Sequence, residues 1–170
     1  MCFLIKILGI IFITIAFIGV GFLLCERYKK RMVELSCYLD FLNKIETEMR
    51  YTNAEIGRII EFVISNDDKS NFALNMRENH TSKNIIEKWQ EFSVLGKNKS
   101  ILTENDKQLF LNFSEFIGKT DLEGQLKSFT ILKETVRANL SHATDDYKNK
   151  GNMYRQLFMF GGIGLSIIFI

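Results

Sequence analysis

The sequence predicts an all-α protein, an antiparallel helical bundle flanked by an N-terminal and a C-terminal transmembrane helix. Uncharged apolar runs occupy both ends of the 170-residue chain. Between them, apolar residues recur at three- and four-residue spacings, and no stretch alternates as a strand does. Proline is absent. That absence fits helices, although low proline usage in a composition rich in lysine, asparagine and isoleucine explains it equally well.

The first apolar run predicts a transmembrane helix over residues 1–25. From Ile7 to Leu24, 18 consecutive residues carry no charge, and a helix needs about 20 apolar residues to cross the hydrocarbon core. A cleaved signal peptide is the alternative, because Gly19-Val20-Gly21 is a weak cleavage site. We favour an uncleaved anchor, since only Lys6 precedes the run and the residues after Gly21 stay apolar.

The second apolar run predicts a transmembrane helix over residues 153–170. From Arg155 to Ile170 a helix reaches about 24 Å, which is shorter than a standard span, so a half-inserted interfacial hairpin is the alternative. Small residues permit close contact between helices in lipid. We therefore predict helix packing in the membrane at four glycines: Gly21, Gly161, Gly162 and Gly164.

The basic residues predict the orientation of both spans. Cations lie on the inner side of each apolar run, and only Lys6 lies outside. Positive-inside logic then places the central domain in the cytoplasm and both termini across the membrane. We assign a membrane-anchoring role to five of these cations: Arg27, Lys29, Lys30, Arg31 and Arg155.

Residues 26–152 are predicted to form a single cytoplasmic helical-bundle domain, because this length can bury only one core. Its first helix continues out of the membrane with a heptad-like apolar seam. We favour packing of this seam inside the domain over an intermolecular coiled coil. The seam residues are Leu35, Tyr38, Leu42, Ile45, Met49 and Thr52.

Capping and turn signals divide the rest of this domain into helices. Two capping boxes, at residues 52–55 and 120–123, predict helix starts, and residues 103–106 are expected to open another helix. Further helices are expected around Phe72 and, after a cap at Thr81, around Trp89. Breaks are expected at residues 65–68, at a loop over 96–99 and at a C-terminal cap on Gly118.

The sequence offers no catalytic, cofactor or metal site. There is no Gly-rich phosphate loop and no nucleophile motif. The three cysteines, Cys2, Cys25 and Cys37, form no metal-binding or disulfide pattern, and His80 and His142 stand alone. Residues 25–156 contain 21 of the 22 basic and all 20 acidic residues, a net charge of +1. That balance argues against nucleic acid as a partner, and we expect neither an enzyme nor a small-molecule substrate.

The chain resembles the stage III sporulation protein AB family of endospore-forming Firmicutes over essentially its whole length. The stretch from Leu42 to Tyr51 resembles the family's L…E-x-E-(I/M)-x-Y, and Phe113 to Gln125 resembles its F-G-x-x-L-G-x-x-D-x-x-x-Q. Ser114 departs from the family's glycine, and Glu55 from its proline. The other matching residues are Leu8, Gly9, Gly21, Phe22, Tyr28, Arg31, Trp89 and the glycine-containing end from Leu157 to Ile170.

The resemblance implies membership of an eight-protein complex in the mother-cell membrane around the forespore. Its partners would be the other proteins of that complex, including a secretion-type ATPase, together with membrane lipid. The family's soluble domain is similar to the helical domains of type II secretion and type IV pilus platform proteins. By that analogy the chain would couple the cytoplasmic ATPase to the membrane apparatus and be required for spore development after engulfment.

The resemblance also suggests where a partner binds, namely the helix turn ending at Tyr51 and the junction from Gly118 to Gln125. The alternative is that Gly118 and Asp121 only cap helices. A platform subunit of a vegetative secretion or pilus system is the second functional hypothesis, although such proteins usually have two tandem helical domains. The predicted partner-binding residues are Glu46, Glu48, Tyr51, Gly118, Asp121 and Gln125.

Overall fold

A computed structural model describes residues 2–52, 54–67, 77, 101–116 and 121–169. All regular structure in these ranges is helical, which confirms the all-α class. The expected helices around Phe72 and Trp89, the loop at 96–99 and Gly118 lie outside the described residues. The elements are α1 (Cys2–Tyr51), α2 (Ile56–Asn66), α3 (Glu104–Phe116), α4 (Leu122–Asp146), a π-helical turn (Tyr147–Gly151) and α5 (Asn152–Phe169).

The chain divides into two compact units. The terminal unit comprises Met1–Met32 and His142–Ile170, and the central unit comprises Val33–Ser141. The central unit has fewer residues than the predicted 26–152 domain, because residues 26–32 and 142–152 belong to the terminal unit. Helices α1 and α4 each contribute residues to both units.

The apolar seam of α1 lies in the core of the central unit. Its residues from Leu35 to Met49 are buried, as expected for packing within the domain. Thr52 is exposed instead, and its hydroxyl donates to the Glu48 carbonyl at 2.5 Å. Burying each large apolar side chain contributes about 1.5–3 kcal/mol. The core of the central unit contains Tyr38, Phe41, Leu42, Ile45, Met49, Ile59, Ile60, Val63, Ile64, Leu109, Phe113, Phe129, Leu132 and Val136.

The predicted helix opening at residues 103–106 is confirmed, and the structure shows a capping box there. The Thr103 hydroxyl accepts a hydrogen bond from the Asp106 backbone N–H at 3.2 Å, and the Asp106 carboxylate accepts from the Thr103 N–H at 2.9 Å. Asp106 is fully buried and also accepts from the Asn139 amide at 2.9 Å. The cap therefore ties α3 to α4.

The capping box predicted at residues 52–55 is wrong. Helix α2 begins at Ile56 with no side-chain cap, because the Thr52 hydroxyl bonds backward to the preceding helix. Helix α4 begins at Leu122, and the Asp121 carboxylate accepts from the Gly124 N–H at 3.3 Å. Asp121 therefore caps α4, and Thr120 of the box predicted at residues 120–123 lies outside the described residues.

Within the terminal unit, the first part of α1 packs antiparallel to α5. A Cβ built on Gly21 would lie 2.7 Å from the Phe158 Cβ, so the two helices touch there. Gly162 also faces the contact, where its Cβ would lie 3.5 Å from Phe17. Gly161 and Gly164 have nothing within 4 Å of such a Cβ, so of the predicted packing glycines only Gly21 and Gly162 lie in this contact.

A hydrogen bond and a buried thiol extend the same contact. The hydroxyls of Thr14 and Ser166 lie 2.5 Å apart, and Cys25 is buried beside Gly151. Among the described helices, α1 alone is long and apolar enough to cross a membrane. The second span, at 153–170, stays a prediction.

We predict that Gly21→Ala destabilises the terminal unit, because the added methyl would lie 2.7 Å from the Phe158 Cβ. Overpacking of this kind costs about 1–3 kcal/mol. Gly19→Ala is the matched control, since its Cβ meets nothing within 4 Å. Thermal unfolding of the full chain in detergent micelles checks the pair, and equal midpoints for the two variants would contradict the close contact.

Candidate partner-binding site

The described residues of the two predicted partner-binding segments belong to the central unit. Within this unit the ion pair between Glu46 and Lys133 joins α1 to α4. Glu46 lies five residues before the end of α1, and Lys133 lies eleven residues after the start of α4. We call the end of α1 and the start of α4 together the end surface, and its members are Glu48, Tyr51, Asp121 and Gln125.

Glu46 is buried beside this end and is engaged within the chain. Its carboxylate forms an ion pair with Lys133 and accepts from Arg50 at 2.7 Å, while the residue is 8% exposed. Burial alone raises the pKa of Glu46, but the hydrogen bonds from Lys133 and Arg50 outweigh it and lower the pKa below the ordinary value. Glu46 therefore holds α1 to α4 as a carboxylate.

The remaining members of the end surface differ in exposure. Tyr51 is 84% exposed, so its ring is open to a partner. Asp121 is exposed but serves as the N-cap of α4, and Gln125 and Glu48 are half-buried. Tyr51 therefore supplies the predicted set with an accessible aromatic group. Gly118 lies outside the described residues.

A groove next to Glu48 was not anticipated from the sequence. It lies between α1 and α2 and has a volume of about 320 Å³. Phe62 on its wall is 55% exposed, and Lys44 pairs with Asp67 at 3.4 Å. The available signal was Phe62 itself, an aromatic residue off the Ile59–Val63 buried face. The lining residues are Asn43, Lys44, Thr47, Glu48, Phe62, Val63 and Asn66.

The predicted anchoring cations all lie in the terminal unit. Arg31 is half-buried and pairs with Asp146 at 3.4 Å, whereas Lys30 approaches Glu26 at 4.0 Å. The other three, Arg27, Lys29 and Arg155, are exposed. The sequence reasoning missed the stacked rings of Tyr28 and Tyr154, whose centroids lie 6.2 Å apart. The sequence did contain a signal for this pair, because one tyrosine lies beside each apolar run.

The described residues contain no group of three or more potential metal ligands. Cys25 is buried against Gly151, and burial followed by the nearby Glu34 carboxylate raises the pKa of Cys37. A raised pKa keeps the thiol protonated and therefore poorly nucleophilic. The expectation that the chain is not an enzyme stays a prediction.

We predict that Glu46→Gln destabilises the central unit by about 3 kcal/mol, because it leaves the Lys133 ammonium in place without its counter-charge. Replacing both partners, as in Glu46→Leu with Lys133→Met, should cost much less than the sum of the two single changes. Chemical unfolding of the full chain measures these effects. Glu134→Gln is the control, since its pair with Arg137 is exposed and should cost under about 0.5 kcal/mol. Equal effects of Glu46→Gln and Glu134→Gln would contradict the structural role.

We also predict a pH dependence of this stabilisation. A carboxyl whose pKa is lowered by folding stabilises the folded state above its unfolded pKa, about 4.3 for glutamate, and the benefit disappears as the pH falls through the folded pKa. The difference in unfolding free energy between the wild type and Glu46→Gln should therefore shrink below about pH 4.3. Unfolding titrations between neutral and acid pH measure it, and a difference that grows on acidification would contradict the lowered pKa.

One family model matches the chain over almost its full length. The family model described as stage III sporulation protein AB matches residues 6–170. Neither the curated proteins nor the solved structures contain a significant match.

Proposed function

The chain belongs to the stage III sporulation protein AB family, and we propose that it is a non-enzymatic platform that couples a cytoplasmic ATPase to a membrane apparatus during spore development. The observation that carries this proposal is the family match from residue 6 to 170, which includes both apolar ends and the end surface between them. The apparatus would be the channel or secretion-like complex between mother cell and forespore, and the chain would be required after engulfment.

We propose a double-pass topology in the mother-cell membrane around the forespore. Helix α1 has the length and apolarity of a span, and α5 packs against it through Gly21 and Gly162. The cations beside both apolar runs favour a cytoplasmic central unit. Both termini would then lie in the intermembrane space.

We propose that the ATPase docks on the end surface and the adjoining groove. Tyr51 and Phe62 are large, exposed aromatic groups there, and interface energy concentrates on such anchors. Glu48 belongs to both regions, because it is a member of the end surface and lines the groove. The ion pair of Glu46 with Lys133 would keep the two helices, and hence the end surface, in one arrangement.

We predict that Tyr51→Ala or Phe62→Ala weakens capture of the ATPase by the full chain at least tenfold, as expected when an aromatic hot spot is truncated. The measurement is a pull-down of the family complex's ATPase with the detergent-solubilised chain over a range of ATPase concentrations. Ile131→Ala is the control, since the exposure of Ile131, 62%, lies between those of Phe62 and Tyr51 and the residue belongs to neither region. Capture unaffected by either aromatic change would refute this docking surface.

We predict that deleting the gene in a spore-former blocks development after engulfment. A Tyr51→Ala, Phe62→Ala allele should fail to restore heat-resistant spores, whereas Ile131→Ala should restore them. Spore counts and immunoblots of the chain separate loss of docking from loss of the protein. Normal spore yield from the deletion strain would count against the proposed role.

A further inference from the structure

A dense cluster of cations lies where the terminal unit changes from apolar to polar. Residues 26–31 and 142–155 together carry seven lysines and arginines but only three carboxylates. Two of those carboxylates are already engaged: Glu26 approaches Lys30 at 4.0 Å, and Asp146 pairs with Arg31 at 3.4 Å and Lys150 at 2.7 Å. The third, Asp145, is exposed.

Four cations therefore remain without an ion pair to any carboxylate among the described residues. All four are exposed: two lie on α1, one in the π-helical turn and one on α5. We call them the basic collar: Arg27, Lys29, Lys148 and Arg155. A surface cation without a carboxylate partner remains available to an anion at the membrane surface.

The collar borders an apolar surface. On its outer side, Leu23 and Leu157 are 72% and 59% exposed. Exposing such side chains to water is unfavourable, whereas transferring them to hydrocarbon is favourable. The border between them and the collar therefore matches the level at which acyl chains meet headgroups.

An aromatic pair lies at the same level. Tyr28 of α1 and Tyr154 of α5 stack with an interplanar angle of 10°. Tyrosine concentrates at the membrane–water interface, where its ring contacts the acyl boundary and its hydroxyl reaches the headgroups. The pair thus marks the depth of the collar independently of the charges.

The π-helical turn approaches α1 closely beside the collar. In the π-helical turn, a Cβ on Gly151 would lie 3.4 Å from the Cys25 Sγ. Lys148 and Arg155 lie within four residues of Gly151, and Arg27 and Lys29 lie within four residues of Cys25, so this contact brings the two pairs of cations to neighbouring levels. Four positive charges are thereby concentrated on one short segment of two touching helices.

We propose that the basic collar binds the headgroups of anionic phospholipids and prefers them to zwitterionic ones. Lysine and arginine beside a membrane surface attract anionic lipid additively, and guanidinium groups bind phosphate oxygens through paired hydrogen bonds. This inference rests on the proposed membrane location and adds to it a requirement for one class of lipid.

The test uses the full chain in nanodiscs that contain equal amounts of phosphatidylglycerol and phosphatidylcholine. Native mass spectrometry of the released protein measures the ratio of retained lipids. We expect phosphatidylglycerol to be enriched at least fivefold. The variant Arg27→Gln, Lys29→Gln, Lys148→Gln should reduce that enrichment at least threefold.

A matched control removes three exposed cations of the central unit through Arg58→Gln, Lys127→Gln and Arg137→Gln, and should leave the enrichment unchanged. Equal retention of both lipids by the wild type would overturn the proposal. So would a collar variant that behaves as the wild type, or a control that loses as much enrichment as the collar variant.

Alkaline extraction of membranes, carried out in parallel, separates this proposal from the membrane location itself. Resistance of the wild type to extraction together with equal lipid retention would refute the collar alone. Complete extraction of the wild type would instead refute the membrane location on which the collar depends.

Discussion

The close approach of the two ends of the chain holds the terminal unit together. Gly21 leaves no room for a Cβ against Phe158, and Gly151 fits against the Cys25 thiol. If both helices lie in lipid, as we propose, there is little hydrophobic drive to bring them together, and their contact comes from packing and from hydrogen bonds such as Thr14–Ser166.

Buried polar contacts set the register of the central unit. Apolar side chains can pack against more than one set of apolar neighbours. A buried charge that loses its partner, in contrast, costs several kcal/mol of folding free energy, about 3–5. Glu46 between Lys133 and Arg50 fixes α1 against α4. Asp106, which caps its own helix and accepts from Asn139, does the same for α3 and α4. The exposed end of α1, including Tyr51, is consequently presented by helices of defined register.

Much of the fold could be predicted from the sequence because it follows from periodicity. The apolar run from Ile7 and the seam from Leu35 to Met49 depend only on spacing along one helix, and both are helical as expected. Helix starts were harder, since Thr52 could bond to the helix before it or the helix after it. The carbonyl of Glu48 proved the nearer partner. A local pattern cannot distinguish the two.

The site was predictable only in outline, because side-chain orientation depends on tertiary packing. Gly161 and Gly162 are adjacent in sequence, yet only Gly162 faces α1. Glu46 and Glu48 both match the family stretch, but Glu46 is buried by Lys133 of a helix 87 residues away. The groove beside Phe62 likewise needs the angle between α1 and α2, which no spacing rule supplies.

The central claim is that the unit between the two apolar ends works in the cytoplasm, and its most direct test is the accessibility of one introduced thiol. Tyr51→Cys, in a chain whose native cysteines are replaced by alanine, puts that thiol at a position that is 84% exposed. The chain would be expressed in vegetative cells and treated with a membrane-impermeant maleimide before and after permeabilisation. The account predicts labelling only after permeabilisation. Labelling of intact cells would contradict it.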